Sequence, residues 1–466
     1  MQPFSKLPPE IRDEILFHAC LGRGLTRALR LKLVCKDFYQ AVDLALFKTR
    51  FLDKNFHLDL WYFRQNFGFV GLFQAYISFR IRRPPLPDDG RIADLRSICD
   101  WLADETKTDL TLVIDALSKA AIGHIGMASS SDNERRKGTK YNDSEILYQK
   151  IMRQARFGAA IYLGHVHLAI KFMQEGCCPA RDSHVLPSPM FLAAWAGRAD
   201  MLKLLQEHLP EIEEVQRYQS HGGLFLDFRA KTGPGSIEGA AASGSLDMVR
   251  LAMFPPSRAQ PDNFHFDPRQ YGRLDTQPRL SACVDRALST GSLEIYQYIS
   301  SFYDPEERIR RGLQKVWKHL TYGHVDVVRY LVDQAVSING GEWLDTHHLR
   351  SAASESQTEV VDLLLKRWGK PRLVYLSLGP AILTTADVGS LSILRKLLQH
   401  YGADVPEHFG REILKSAVRR EHVAMVRLLL DRGVCDAKFH AGIADMALEE
   451  GLESMADLLR GERVAG

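Results

Sequence analysis

The amino-acid sequence predicts an all-α protein whose larger, C-terminal part is a solenoid of stacked helix pairs. A unit of about 33 residues recurs about nine times in residues 151–466, and a repeated unit of this length is typical of repeat architectures. Each copy carries apolar residues at the spacing of one helix face. A separate amphipathic stretch, LPPEIRDEIL at residues 7–16, predicts a helix that precedes the array.

The repeated unit is organised around one turn residue. Positions four, five and eight after it are apolar in all nine copies, as in Val327, Val328 and Leu331. Four positions before it stands a small residue, with His319 and Thr385 as exceptions, and a small side chain there lets two helices approach closely. Most turn residues are glycine, which adopts the left-handed conformation that ends a helix. They are Gly164, Gly197, Gly244, Gly291, Gly323, Ser356, Gly389, Glu421 and Gly451.

This helix–turn–helix unit resembles the ankyrin repeat, most closely in SPMFLAAWAGRADMLKLL at residues 188–205. The resemblance covers about residues 155 to 462, although Ser356 and Glu421 replace the expected glycine. It implies a scaffold that binds other proteins, without naming a partner.

Two connectors in the array, residues 206–236 and 254–281, are about fourteen residues longer than the others. Their aromatic residues, together with aromatics of the first helices, are predicted to bind a protein substrate, because such side chains often dominate interfaces. The alternative is that the loop aromatics fold back and only pin the loops. The predicted substrate-binding residues are Phe191, Trp195, Phe225, Phe228, Phe264, Phe266, Tyr271 and Trp317.

The N-terminal segment begins with prolines that suit the first turn of a helix. Ile11, Ile15 and Leu16 then form one apolar stripe, and a second apolar stripe runs through residues 25–42. About 45 residues bury too little surface to be stable alone, so a partner is expected to cover part of the stripe. The alternative is that these helices cap the array or pack on residues 51–81.

The pattern L-P-x-E-I-x-x-x-I-L followed by L-x-L-V-C-K-x-F resembles the F-box, a three-helix unit. It departs from that family in the glycine-rich CLGRGLTRAL, residues 20–29. The resemblance implies an F-box-like domain at residues 1–50 that docks onto the Skp adaptor of cullin–RING ubiquitin ligases. The implied adaptor-binding residues are Leu7, Pro8, Ile11, Ile15, Leu16, Leu33, Val34, Cys35 and Phe38.

Residues 51–150 are predicted to be a helical connector between the two modules. Ten aromatic residues in 51–79 indicate a packed core, residues 91–122 are helical by pattern, and the polar stretch 127–143 predicts a mobile loop.

Composition excludes several classes of function. A net charge of +3 gives no reason to expect nucleic acid or a membrane as partner. The seven scattered cysteines lack a CxxC pair, so neither a disulfide framework nor a zinc site is expected. Without a signal core or a long apolar run, we expect the protein in the cytoplasm or nucleus.

No catalytic or metal-binding constellation stands out, and no cofactor is expected. TGPGSIEG, residues 232–239, lacks the Lys-Ser/Thr end of a phosphate-binding loop, and Asp262, His265 and Asp267 lack a nucleophile. The leading interpretation is therefore a non-enzymatic substrate adaptor of a Skp–cullin–F-box ligase. The alternatives are a ligase-independent scaffold or inhibitor of a protein partner and, third, an enzyme built on the repeat groove.

Overall fold

The structure is a computed structural model of the 466-residue chain. It describes residues 7–21, 28–29, 31–33, 35–50, 52, 67–84, 90–125, 141–208, 228–253, 284, 287–288, 290–301, 305–316, 324–339, 346–367, 374–401 and 407–461.

Within these ranges every regular element is a helix, as the sequence predicts. The chain divides into two compact units, residues 1–286 and 287–466. The first unit contains α1 (Pro9–Leu21), a 3-10 turn (Leu31–Leu33), α2 (Lys36–Lys48), α3 (Phe67–Ile81), α4 (Gly90–Thr106), α5 (Leu110–Ile125), α6 (Tyr141–Leu163), α7 (Val166–Gln174), α8 (Pro189–Trp195), α9 (Ala199–Glu207), α10 (Phe228–Ser243) and α11 (Leu246–Met253).

The second unit continues the helix pairs. It contains α12 (Leu293–Ser300), α13 (Pro305–Val316), α14 (Val325–Asn339), α15 (Thr346–Ser354), α16 (Thr358–Arg367), α17 (Val374–Val388), α18 (Leu391–Tyr401), α19 (Glu407–Arg419), α20 (Val423–Asp431), a 3-10 turn (Ala437–Phe439), α21 (His440–Glu449) and α22 (Glu453–Arg460).

The N-terminal helices share one core with α3. Leu16 and Cys20 of α1 are buried together with Val42 and Leu46 of α2, and Phe73 and Tyr76 of α3 complete the same cluster. The ring of Phe47 lies 5.4 Å from that of Tyr76. The segment predicted as a domain at residues 1–50 therefore does not enclose its core within those limits, and residues 51–81 supply part of it.

The connector helices α4 and α5 pack on α6. The sequence places a boundary at residues 150/151 and a loop at 127–143, whereas α6 runs unbroken from Tyr141 to Leu163. This single helix crosses the predicted boundary and becomes the first helix of the first repeat. Residues 126–140, most of the predicted loop, lie outside the described part.

The predicted turn is found in eight of the nine copies, and Gly323 of the ninth lies outside the described residues. All eight turn residues have positive φ, and these include Ser356 at 56° and Glu421 at 58°. In six of these eight turns, the amide that follows the turn residue donates to the carbonyl of the residue four positions before the turn residue, as from His422 to Ala417 at 2.9 Å. This bond satisfies one of the carbonyls left free at the end of the first helix.

The predicted apolar stripe forms the core of the array. Every residue four, five or eight positions after a turn residue is buried, from Leu168 in the first repeat to Leu459 in the last. The small residues before the turns are buried as well, and so is Thr385, whose hydroxyl donates to the carbonyl of Ala381 at 2.7 Å. Both helices of each described pair therefore contribute to the apolar core of their own unit.

One connector differs from the prediction. The first insertion was expected to extend over residues 206–236, but α10 already begins at Phe228 and incorporates the glycines and proline of TGPGSIEG. Packing accounts for this, because α10 lies against α8 so closely that a Cβ on Gly239 would collide with the Phe191 carbonyl. Tertiary contact here overrides local propensity. Residues 254–281, the second insertion, lie outside the described residues.

Candidate interaction surfaces

The first candidate surface lies on α1. Ile11 and Ile15 are one helical turn apart and keep 50% and 44% of their area exposed. Pro8 is exposed beside them, and Leu7 is half-buried. Because residues four apart stand on the same helix face, these side chains form one apolar strip. We call Pro8, Ile11 and Ile15 the α1 face.

Leu16 does not belong to the α1 face. The sequence groups it with Ile11 and Ile15, yet only 2% of Leu16 is exposed, and it lies in the core with Cys20. Leu16 therefore fixes α1 onto α2 and offers no surface to a partner. The predicted stripe is thus divided between the core and the surface.

Ion pairs tie α1, and the 3-10 turn at Leu31–Leu33, to α2. Lys48 Nζ lies 2.8 Å from an Asp13 carboxylate oxygen, and Lys32 Nζ lies 2.8 Å from an oxygen of Asp43. Each such surface pair contributes at most about 1 kcal/mol. The Lys48–Asp13 pair restricts the orientation of α1, and the Lys32–Asp43 pair ties the 3-10 turn to α2.

The remaining adaptor-binding predictions fall around the start of α2. Cys35 is exposed at the N-cap of that helix, and Phe38 is partly buried against the shared core. Val34 lies outside the described residues, and of Leu33 only the backbone is described.

The second candidate surface is an aromatic cluster on α6 and α8, the first helices of the first two repeats. Trp195, at the end of α8, lies 5.8 Å from the ring of Tyr162 and 5.8 Å from that of Phe191, measured between centroids. Lys119 of α5 places its Nζ 5.9 Å from the Trp195 ring. Phe191 and Trp195 are both half-buried. Two predicted substrate-binding residues are thus brought together.

Arg198 borders the cluster in a fixed position. Its Nε donates to the carbonyl oxygen of Tyr162 at 2.8 Å, and its guanidinium lies over Gly164 in the space that a Cβ would fill. Burial raises the pKa of Tyr162, and Arg198 partly opposes this. Burial also lowers the pKa of His165, and the nearby His167 and Arg198 lower it further.

The other predicted substrate-binding residues cannot be placed on this surface. Phe225, Phe264, Phe266, Tyr271 and Trp317 lie outside the described residues, and Phe228 is described only as the first residue of α10. Conversely, the sequence did not single out Lys119, Tyr162 or Arg198. Tyr162 and Trp195 both stand two positions before a turn residue, and that shared register was the available signal.

A buried polar network ties the connector to the first repeats. Asp94 of α4 accepts a hydrogen bond from the Tyr148 hydroxyl at 2.6 Å and lies 2.7 Å from Nε2 of His184. Only 9% of the Asp94 side chain is exposed. The three residues come from α4, α6 and the segment before α8, so the network fixes how these elements pack.

Other kinds of site receive no support from the described ranges. They contain no group of three or more histidine, cysteine or acidic residues that could hold a metal ion. No described helix has both the length and the apolar content needed to span a bilayer.

No family model matches the chain, and no curated protein is significantly similar to it in sequence. The class that the structure defines is an all-helical protein built largely from stacked helix pairs.

Proposed function

We propose that this chain is a substrate-recognition adaptor of a Skp–cullin–F-box ubiquitin ligase. In this proposal the α1 face docks the Skp adaptor, and the helix-pair array, interpreted as ankyrin repeats, presents a protein substrate. The ubiquitin-conjugating enzyme that the ligase recruits performs the chemistry. This chain supplies proximity, which raises the effective concentration of the substrate without catalytic residues of its own.

The observation that carries the proposal is the exposure of Ile11 and Ile15 at the positions that resemble the F-box motif. Full burial of an isoleucine contributes roughly 1.5–3 kcal/mol, so covering two half-exposed isoleucines contributes on the order of 2 kcal/mol. The core residues Leu16 and Cys20 fix the opposite side of α1, so the strip is already oriented for docking.

The test is the affinity of the purified full-length chain for the purified Skp adaptor, measured by titration calorimetry. Replacing Ile11→Ala and Ile15→Ala together should weaken binding by about 2 kcal/mol, which is roughly thirtyfold. Alanine is the better helix former, so α1 itself should persist.

A matched control uses two other exposed isoleucines of the same unit. Ile146 on α6 and Ile170 on α7 are 63% and 37% exposed, and the pair Ile146→Ala and Ile170→Ala should leave adaptor affinity unchanged. Wild-type affinity in the Ile11 and Ile15 variant would refute the F-box assignment. Absence of any adaptor binding by the wild-type chain would instead favour a ligase-independent scaffold.

The substrate-binding part of the proposal rests on the aromatic cluster around Trp195 and on the two long connectors. Replacing residues 209–227 and 254–281 with short connectors should remove co-purified substrates while adaptor binding remains. An unchanged substrate set would restrict substrate binding to the helix-pair surfaces.

A further inference from the structure

The surface around Trp195 combines aromatic rings with positive charge. Lys119 Nζ lies 5.9 Å from the Trp195 ring, and Arg198 donates to the Tyr162 carbonyl. The rings of Tyr162 and Phe191 each lie 5.8 Å from that of Trp195. We call these five residues the Trp195 surface. They come from α5, α6, α8 and the turn after α8, so four parts of the first unit build one surface.

The two cations of the Trp195 surface are not neutralised from within the described chain. Neither Lys119 nor Arg198 has a carboxylate within ion-pair distance among the described residues. Asp115, one turn before Lys119 on α5, is instead bound by Arg82 at 2.8 Å and by the Ser78 hydroxyl at 2.9 Å. Within the described ranges this acidic side chain is therefore engaged away from Lys119 and Arg198.

The cation at one side is also preorganised. The Arg198 guanidinium is oriented by its bond to the Tyr162 carbonyl and by the space above Gly164, a residue with φ of 86°. An arginine that is already ordered loses less conformational entropy when it pairs with a carboxylate. Half-buried Trp195, between two other rings, offers an apolar contact of the type that dominates interfaces.

We infer that the Trp195 surface binds an acidic peptide segment of the partner protein, with an apolar side chain against the Trp195 ring and carboxylates on Lys119 and Arg198. Its role as a substrate signal rests on the proposed ligase function, but the binding itself does not. Charge complementarity selects this occupant over a basic or neutral segment.

The test begins with a random-peptide phage library selected on the purified full-length chain in the absence of the Skp adaptor. Enriched sequences should carry aspartate or glutamate beside a leucine or aromatic residue. The most enriched peptide, labelled with fluorescein, is then titrated by fluorescence polarisation at low and high salt. Its affinity should fall as salt rises, because exposed ion pairs are screened.

Three variants locate the site. Trp195→Ala should weaken the labelled peptide about thirtyfold or more. Lys119→Glu with Arg198→Glu should abolish its binding, and circular dichroism should show unchanged helicity for this surface change. Lys203→Glu, an exposed cation on α9 of the same repeat, is the matched control and should have no effect.

Enrichment of basic or uncharged peptides, absence of enrichment, or equal binding by the Lys119/Arg198 and Lys203 variants would overturn the inference. These results are distinguishable from failure of the ligase proposal, because Skp adaptor affinity is measured separately and depends on Ile11 and Ile15.

Discussion

The turn glycines allow a sharp test of how neighbouring repeats stack. Gly389 and Gly451 both lie in the second unit, and both have positive φ, 86° and 74°. A Cβ on Gly389 would overlap the imidazole of His422 from the next repeat, whereas a Cβ on Gly451 would meet nothing within 4 Å. The two substitutions to alanine therefore share the backbone effect and differ in the packing effect.

The expected magnitudes follow from these two effects. An alanine in the left-handed conformation costs about 1–2 kcal/mol, and the reduced entropy of the unfolded chain offsets about 0.4–1 kcal/mol of it. Gly451→Ala should thus destabilise the protein by about 1 kcal/mol. Gly389→Ala should cost about 1–3 kcal/mol more, because the imidazole of His422 must move out of a packed position.

The assay is urea unfolding of the full-length variants, combined with hydrogen exchange of peptides from residues 374–431, since an array need not unfold in one step. A double-mutant cycle of Gly389→Ala with His422→Ala should recover most of the extra loss. Equal destabilisation by Gly389→Ala and Gly451→Ala would refute the packing argument. So would a cycle without coupling between positions 389 and 422.

Two further predictions concern local packing and a helix cap. Ala352 is fully buried in the column of small residues, so Ala352→Leu should lower the free energy of unfolding, measured in urea, by about 1–3 kcal/mol. The control Arg350→Leu, at an exposed position, should leave the free energy of unfolding unchanged. Adaptor binding through the α1 face should survive in both variants. Loss of adaptor binding in Ala352→Leu would show that the α1 face depends on the second unit. Asp109 accepts hydrogen bonds from the amides of Thr111 at 2.6 Å and Leu112 at 3.4 Å, and these bonds lower its pKa below the ordinary 3.8. Its stabilising effect is thus present above pH 3.8 and disappears as pH falls through the lowered pKa, so Asp109→Ala should destabilise the chain at neutral pH but not in strong acid. A pH-independent difference in urea midpoint would contradict the capping role.

The sequence predicted the array well because the same physical requirement recurs in every repeat. A turn residue must adopt the left-handed conformation, and the residues four, five and eight positions later must be buried. Even Ser356 and Glu421, which break the glycine pattern, take that conformation with φ of 56° and 58°. The hydrogen bonds around the turn and the packing on both sides outweigh the strain at a non-glycine residue.

The limits of the N-terminal domain and of the helical connector were harder to predict because they depend on contacts between distant segments. Nothing local marks α3 as the third wall of the core beneath α1, since its dense aromatics suit many kinds of packing. The start of α6 at Tyr141 was missed for a similar reason: polar residues 141–145 carry no apolar stripe, yet they continue the helix whose later turns are buried.

The make-up of the two candidate surfaces depends on how separate helices pack. On α1 the hydrophobic pattern identifies Ile11, Ile15 and Leu16 as one set, but only the position of α2 decides that Leu16 lies inside and the two isoleucines outside. A double variant with Leu16→Ala and Ile11→Ala would lose about 2–5 kcal/mol of folding stability through the cavity at Leu16, in addition to any loss of partner contact at Ile11. Substituting Ile11 and Ile15 while Leu16 is kept leaves the core intact, so a loss of adaptor affinity then reports on the interface alone. The same logic applies to the Trp195 surface, where Lys119 is 76 residues from Trp195 in sequence and joins it only through the packing of α5 on α6.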